Sequence, residues 1–470
     1  PEPPNPSYLA HGTGVTGAAM YGLVHPGDTA GSPPLPVDSF RVVPAPNVPY
    51  DLEAYWILDQ IKEAVVQGEY RIVNLSLGPS LAVEDQMEPN RWTCELDQLA
   101  WENDVLFVVA AGNDGAADQS LGLHRVQVPA DMANGLAVGS CDVPSPEIPW
   151  TRAEYSSMGP GRQGNRIQPV GVQFGGVPGR EFPLLAADGT FLESTGTSFA
   201  APLVTHALAE LATRLRDPHP SVLRAFAVHF AERPRHYIKL QNEVGHGRLP
   251  LSFEDDLVCD PGELQVLYSD EITRGQILGY QIPVPTGNTG PLEVRITLAY
   301  ASPVEPTQPT EYTRASLDLT FRPNQQLYRF TPPKGDKDKP VDLDIASDAA
   351  YSLLTNGWTQ SQVPVAKSLG ANGRLSENLL RGYGKWETIR SARTSLRSGE
   401  ANAPQLEISY LGRRGGGLDA SPPAVPFALL IGVRDTSGAT DLYDRARAQF
   451  AALKPIQRAL VRTRVRTDLE

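Results

Sequence analysis

A chain of 470 residues is longer than one ordinary domain and is expected to divide into two or three. Its apolar fraction of 41% supplies sizeable cores and excludes a mainly disordered chain. A net charge of −13 excludes nucleic acid as the expected main partner, because phosphate binding requires a basic face, and no apolar run is long enough to span a membrane.

The chain opens Pro-Glu-Pro-Pro-Asn-Pro without an initiator Met, which reads as a loop cut open and leaves room for an upstream segment. His11 then heads a run of small residues, His11-Gly12-Thr13-Gly14. That run opens a tightly packed helix with the imidazole presented at its end, or else forms a Gly-rich turn. Residues 23–50 are rich in Pro, Gly and Asp and read as a surface loop, interrupted by a short strand at Phe40–Val43. A helix is expected from about Leu52 to Gln67, with Leu52, Trp56, Ile57, Ile61, Ala64 and Val65 on one face. Arg71–Gly78 reads as a strand running into a turn, and Thr93–Asn103 as a second helix. Val105–Ala111 is apolar throughout, as in a strand buried on both faces, and ends at Gly112-Asn113-Asp114-Gly115. A further strand follows at Gly135–Ser140.

Residues 194–214 begin with small and hydroxyl residues suited to a tight turn, then place Leu203, Ala207, Leu208 and Leu211 on one helix face. Ser198 falls in the first turn, where unpaired N–H groups and the helix dipole favour a developing oxyanion. Alternating strands and helices imply an α/β fold with a largely parallel sheet. The site is then expected at the carboxyl ends of the strands, where Ser76, Asn113 and the Ser198 turn fall.

Four stretches occur in an order that resembles the subtilisin-like serine proteases, or subtilases. They are His11-Gly12-Thr13, Asn74-Leu75-Ser76-Leu77-Gly78, Ala110-Ala111-Gly112-Asn113 and Gly196-Thr197-Ser198-Phe199-Ala200-Ala201-Pro202. The resemblance spans about residues 8–250, including a further helix near Ser221–Phe230 and the segment Gly245–Leu249. It implies a peptidase half at residues 1–250, with Ser198 as nucleophile and His11 as general base. It also implies that Asn113 donates to the oxyanion alongside the Ser198 N–H. Leu75, Ser76, Leu77 and Gly78 would pair with substrate by strand addition, and Ala110, Ala111 and Gly112 would form the other wall of the specificity pocket. Asp114 and Gln127 are expected near that pocket, making it more polar. The resemblance implies a protein or peptide substrate and no required cofactor. Subtilases often bind calcium, and no ligand cluster in this sequence is specific enough to assign one.

The departure is the triad carboxylate. The family's Asp precedes the His, whereas the first Asp in this chain is Asp28, and Glu2 alone precedes His11 among the acids. Asp38 and Asp51 lie too late in the order. Either an N-terminal segment carrying the Asp associates with this chain, or the chain is a degraded, non-catalytic relative. No Gly-x-Ser-x-Gly elbow surrounds Ser198, which disfavours an α/β-hydrolase, while ester hydrolysis stays chemically open.

From about Leu257 the texture changes to period-two alternation. Leu292-Val294-Ile296-Leu298-Tyr300, Leu317-Leu319-Phe321 and Leu406-Ile408-Tyr410 alternate cleanly, and Phe427–Val433 is a continuous apolar strand. Residues 251–470 are therefore expected to form an all-β, jelly-roll-like sandwich with a short helix near Asp441–Leu453. The Lys- and Asp-rich residues 333–344 read as an exposed loop, and Trp358 and Trp386 as core or interface anchors. Cys94, Cys141 and Cys259 match neither a disulfide framework nor a zinc pattern, so free buried thiols and a lean towards a reducing compartment are expected. His206, His229 and His246 read as structural.

Overall fold

The fold is described from a computed structural model, which covers residues 6–43, 53–84, 88–144, 148–288, 290–363, 375–413, 423–438 and 441–457. In the first half the elements run α1 (Pro6–Tyr21), α2 (Tyr55–Gly68), β1 (Ile72–Leu75), α3 (Arg91–Glu102), β2 (Leu106–Ala110), β3 (Leu136–Cys141) and β4 (Gly171–Phe174). There follow a hairpin of β5 (Phe182–Leu185) and β6 (Phe191–Ser194), then α4 (Thr197–Arg214), α5 (Pro220–His229) and α6 (Tyr237–Val244).

Strands β1 to β4 form a four-stranded, all-parallel sheet in sequential order. Strand β2 explains why its sequence is apolar throughout. Leu106 and Val108 pack on Ala200, Val204 and Leu208 of α4, whereas Phe107 and Val109 pack on Leu58 and Ile61 of α2 and Leu96 of α3. Both faces are thus covered, as parallel sheets require. Helix α1 lies on α4 and the hairpin through Ala18, Phe199, Leu203, Phe182 and Leu184. Gly14 permits that approach, since a Cβ there would fall 2.9 Å from Leu184 Cδ2.

The second half contributes β7 (Glu263–Ile272), β8 (Ile277–Gln281), β9 (Leu292–Tyr300), β10 (Ala315–Arg322), β11 (Leu327–Thr331), β12 (Val341–Asp344), α7 (Asp348–Thr355), β13 (Thr359–Gln362), α8 (Glu377–Gly382), β14 (Ile389–Leu396), β15 (Gln405–Gly412), β16 (Val425–Asp435) and α9 (Leu442–Gln449). Sheets of order β14-β9-β16-β7 and β10-β15-β8 enclose one core that includes Leu298, Leu317, Ile408 and Leu429. The chain alternates between them from β7 to β10 and again from β14 to β16, the jelly-roll-like sandwich expected from the alternation. A small sheet, β12-β11-β13, stands apart from both.

The two halves share an interior. Helix α5 packs Val222 and Phe226 towards Ala299, Ala428 and Leu430 on the outer face of the larger sandwich sheet. Strand β16 is therefore buried on both sides, which accounts for its unbroken apolar run. Arg224 of α5, fully buried, donates to the carbonyls of Tyr300 (2.7 Å) and Ala133 (2.9 Å). Beside it, Asn134 exchanges hydrogen bonds with Ser302, and Tyr312 donates to the buried Asp97 at 2.8 Å.

Several expectations need correction. Residues Phe40–Val43 are not a strand and pair with no strand among the described residues. Val341–Asp344 is a strand inside the expected loop, paired with Leu327–Phe330. Helix α1 starts at Pro6, whose fixed φ suits a first helical turn, so His11 sits inside the helix and not at its end. Leu52 and Asp51 lie outside the described residues. Strand β4, the β5–β6 hairpin and α6 were not anticipated. Cys94 and Cys141 are free and buried, while Cys259 is free and half-buried.

Candidate active site

The start of α4 is set by Gly196, whose φ of +157° with ψ of 150° is a backbone conformation that only glycine adopts readily. This turn carries the chain from β6 into the helix with Thr197 and Ser198 as its first two residues. Thr197 is buried and ties the turn to the end of β2: its hydroxyl accepts from Gly112 N (3.1 Å) and its N–H donates to Asn113 Oδ1 (2.9 Å). A carboxamide oxygen held by a backbone N–H fixes the amide's orientation. Asn113 Nδ2 consequently points away from Thr197 and has no protein acceptor among the described residues.

Ser198 is half-buried. Its Oγ rests 3.4 Å from the Ser76 carbonyl, a long contact, and its own carbonyl accepts from Ser76 Oγ at 2.9 Å. A polar chain supports Ser76 from behind. Thr205 on α4 donates to Asn74 Oδ1 (3.1 Å), and Asn74 Nδ2 donates to Ser76 Oγ (3.0 Å). The chain runs from the middle of α4 through β1 back to the first turn of the same helix.

His11 approaches from α1. Its ring centroid is 5.6 Å from that of Phe199, the neighbour of Ser198. Burial holds its pKa below the usual 6.5, so the imidazole is neutral at pH 7 and available as a base. Among the described residues it has no hydrogen-bond partner. It lines a cavity of about 730 Å³ with Val15, Leu35–Phe40, Val42, Ile61, Val65 and Ile72–Leu77. This cavity runs beside β1, which pairs with β2 on its other side and with no strand here among the described residues. Asp38 lines the same space, but its carboxylate accepts from Tyr70 at 2.5 Å.

The walls expected for substrate face each other across β1 and β2. Leu75 ends β1, and Ser76, Leu77 and Gly78 continue beyond the sheet; Ala110 ends β2, and Ala111 and Gly112 continue likewise. Ala111 stays tied to the sheet through its N–H to Val138 O (2.9 Å). Asp114 and Gln127 are hydrogen-bonded to each other at the end of this slot.

Thr197, Asn74 and Thr205 were missed as supporting residues. Asn74 carried a signal, a polar residue inside an apolar strand; Thr197 and Thr205 did not, since hydroxyls are ordinary at helix starts and on helix faces. His206 bonds Ala19 O, His229 bonds Thr297 Oγ1 and His246 is buried. None of the three stands among the residues gathered here. Among the described residues no group of three or more His, Cys, Asp or Glu could hold a metal ion. No helix among them is long and apolar enough to cross a membrane.

The chain matches the subtilase family over residues 1–247. It is 27% identical over 330 residues to an uncharacterized protein, y4bN, of Sinorhizobium fredii, covering 56% of this chain and 74% of that one. It is 28% identical over 253 residues to the major intracellular serine protease of Bacillus subtilis, covering 53% of this chain and 70% of that protein. The solved prenylagaramide maturation protease PagA is 25% identical, with a TM-score of 0.32, over 42% of this chain and 65% of its own, a little under two thirds of its length.

Proposed function

The chain belongs to the subtilase family of subtilisin-like serine endopeptidases, and we propose that Ser198, His11 and Asn113 are its working centre on protein or peptide substrates. Ser198 Oγ attacks the scissile carbonyl as His11 takes the hydroxyl proton. The resulting oxyanion is held by Asn113 Nδ2 and the Ser198 N–H. Collapse breaks the C–N bond, and the proton passes from His11 to the leaving amine. Water then hydrolyses the acyl ester by the same exchange in reverse. Substrate lies extended between Leu75–Gly78 and Ala110–Gly112. The observation that carries this reading is the bond from Thr197 N to Asn113 Oδ1, which leaves the amide nitrogen free beside the first turn of α4.

His11 still needs a carboxylate to orient it and stabilise the imidazolium. The open edge of β1 and the cavity beside it, with His11 in its wall, suit an extended strand from an upstream segment that carries the Asp. Association with such a segment is part of the proposal, as is the division into a peptidase unit at 1–250 and a β-sandwich unit at 251–470. The absence of a carboxylate partner for His11 among the described residues favours one second reading, a pseudoprotease that binds protein in the same groove. Incubating a peptide mixture with wild type and Ser198→Ala, and sequencing the products by mass, separates the two. Internal cleavage by wild type alone supports the peptidase. Binding by both proteins without cleavage supports the binding module.

A further inference from the structure

A third extended segment, Val126–Val128, crosses the slot between the two substrate walls. Val83 N donates to Val126 O (3.0 Å) and Val128 N to Leu81 O (2.9 Å), which ties the segment to the chain that follows β1. Gln127 N donates to Ala111 O (2.9 Å), which ties it to the chain that follows β2. The segment therefore links the chain beyond β1 to the chain beyond β2 at one end of the slot.

Its side chain occupies the space that remains. Gly112 has φ of +105°, and a Cβ built there would fall 2.6 Å from Gln127 Cγ and Oε1 and 2.7 Å from Cδ. The side chain of Gln127 thus lies directly on the Gly112 backbone, where a pocket between these walls would otherwise deepen. Its Nε2 donates to the Asp114 carboxylate, whose backbone N–H is fixed by Ser157 Oγ at 3.0 Å. One N–H of that amide is engaged by Asp114; its second N–H, Gln127 Oε1 and the second oxygen of Asp114 keep hydrogen-bonding capacity at this end of the slot.

Resting on the proposed placement of substrate between these walls, the geometry points to a short, polar pocket, built by Gln127 and Asp114 against Gly112, that selects small hydrogen-bonding side chains before the scissile bond and rejects aromatic and long apolar ones. A Ser or Asn side chain reaches these polar groups without displacing Gln127. A Phe side chain has to expel it, breaking its bond to Asp114 without supplying a polar group in its place.

The test uses the full chain carrying Ser198→Ala and hexapeptides that differ at one position, Ser, Asn or Phe, with affinities measured by calorimetry. The Ser and Asn peptides are expected to bind about 10-fold or more tighter than Phe, the scale on which a pocket discriminates such side chains. Adding Gln127→Gly reverses the order, and Asp114→Asn brings the Ser and Asn peptides towards the Phe value without improving Phe. Circular dichroism checks that each variant is folded. A preference for Phe in the parent, equal or undetectable binding of all three, or an order unchanged by Gln127→Gly overturns the pocket. Wild-type hydrolysis of the same peptides is scored separately. No hydrolysis with the predicted binding order fails the catalytic reading and keeps the pocket, whereas hydrolysis with a Phe preference does the opposite.

Discussion

Thr197 donates its backbone N–H to Asn113 Oδ1 at 2.9 Å and so fixes which end of that amide faces the slot beside Ser198. The arrangement is prepared before any substrate arrives, which is what an oxyanion donor requires. Asn113→Ala is expected to lower kcat by about 10²–10³-fold, the loss recorded when a subtilisin's donor asparagine is removed. KM should change little, because the interaction strengthens only as charge develops. Steady-state kinetics check this; an unchanged kcat would remove Asn113 from the centre.

The pH dependence follows from His11. Burial lowers its pKa from 6.5, so the neutral, proton-accepting form persists below that value. Activity should be on its plateau at pH 7 and fall with one proton as pH drops through a value below 6.5. An acid limb centred above pH 6.5 in a kcat/KM profile would contradict this.

The seam between the halves gives a stability prediction. Asp97 is fully buried and accepts from Ala133 N (2.9 Å), Asn134 N (2.8 Å) and Tyr312 OH (2.8 Å), and burial pushes its pKa up to about 7. Tyr312→Phe withdraws one donor from this carboxyl and should destabilise the chain by about 1–3 kcal/mol. The folded-state pKa is raised, so the Asp97 contribution favours the folded state at low pH and weakens as pH rises towards and past 7. Loss of the Tyr312 donor should therefore cost more at pH 8 than at pH 5, which thermal melts at the two pH values read directly.

Arg295 and Arg393 stand directly opposite each other across β9 and β14. Like charges in that relation repel, and the pKa of Arg393 falls to about 10, first through burial and then through Arg295 and Arg233. Arg393→Glu should raise stability by roughly 0.2–1 kcal/mol, the scale of an opposite-charge cross-strand pair. The gain should shrink at high salt, and denaturant melts at two salt concentrations measure it.

How much of this could be read from the sequence varies with the element. Val105–Ala111 was legible as a strand buried on both faces and Phe427–Val433 as a continuous apolar strand, because both faces of each meet apolar layers. The placement of Ser198 in the first turn of a helix and of Asn113 just beyond a strand was legible because each follows a strand or turn with a distinctive set of small residues. Strand β4 was not, since its four residues include Gly171 and the buried Gln173, whose amide is satisfied by Leu249 O, a partner distant in the chain. Phe40–Val43 has strand composition, but pairing depends on a neighbour that no local pattern reveals. The Asn74–Ser76–Ser198 chain was equally hidden, because it joins residues 122 apart.

The central claim is that Ser198 is an activated nucleophile with His11 as its base. It is tested most directly by labelling the full chain with a fluorophosphonate and reading intact mass, in wild type, Ser198→Ala and His11→Ala. The account predicts one adduct on wild type, none on Ser198→Ala and strongly slowed labelling of His11→Ala. No adduct on folded wild type, or an adduct that survives Ser198→Ala, would contradict it.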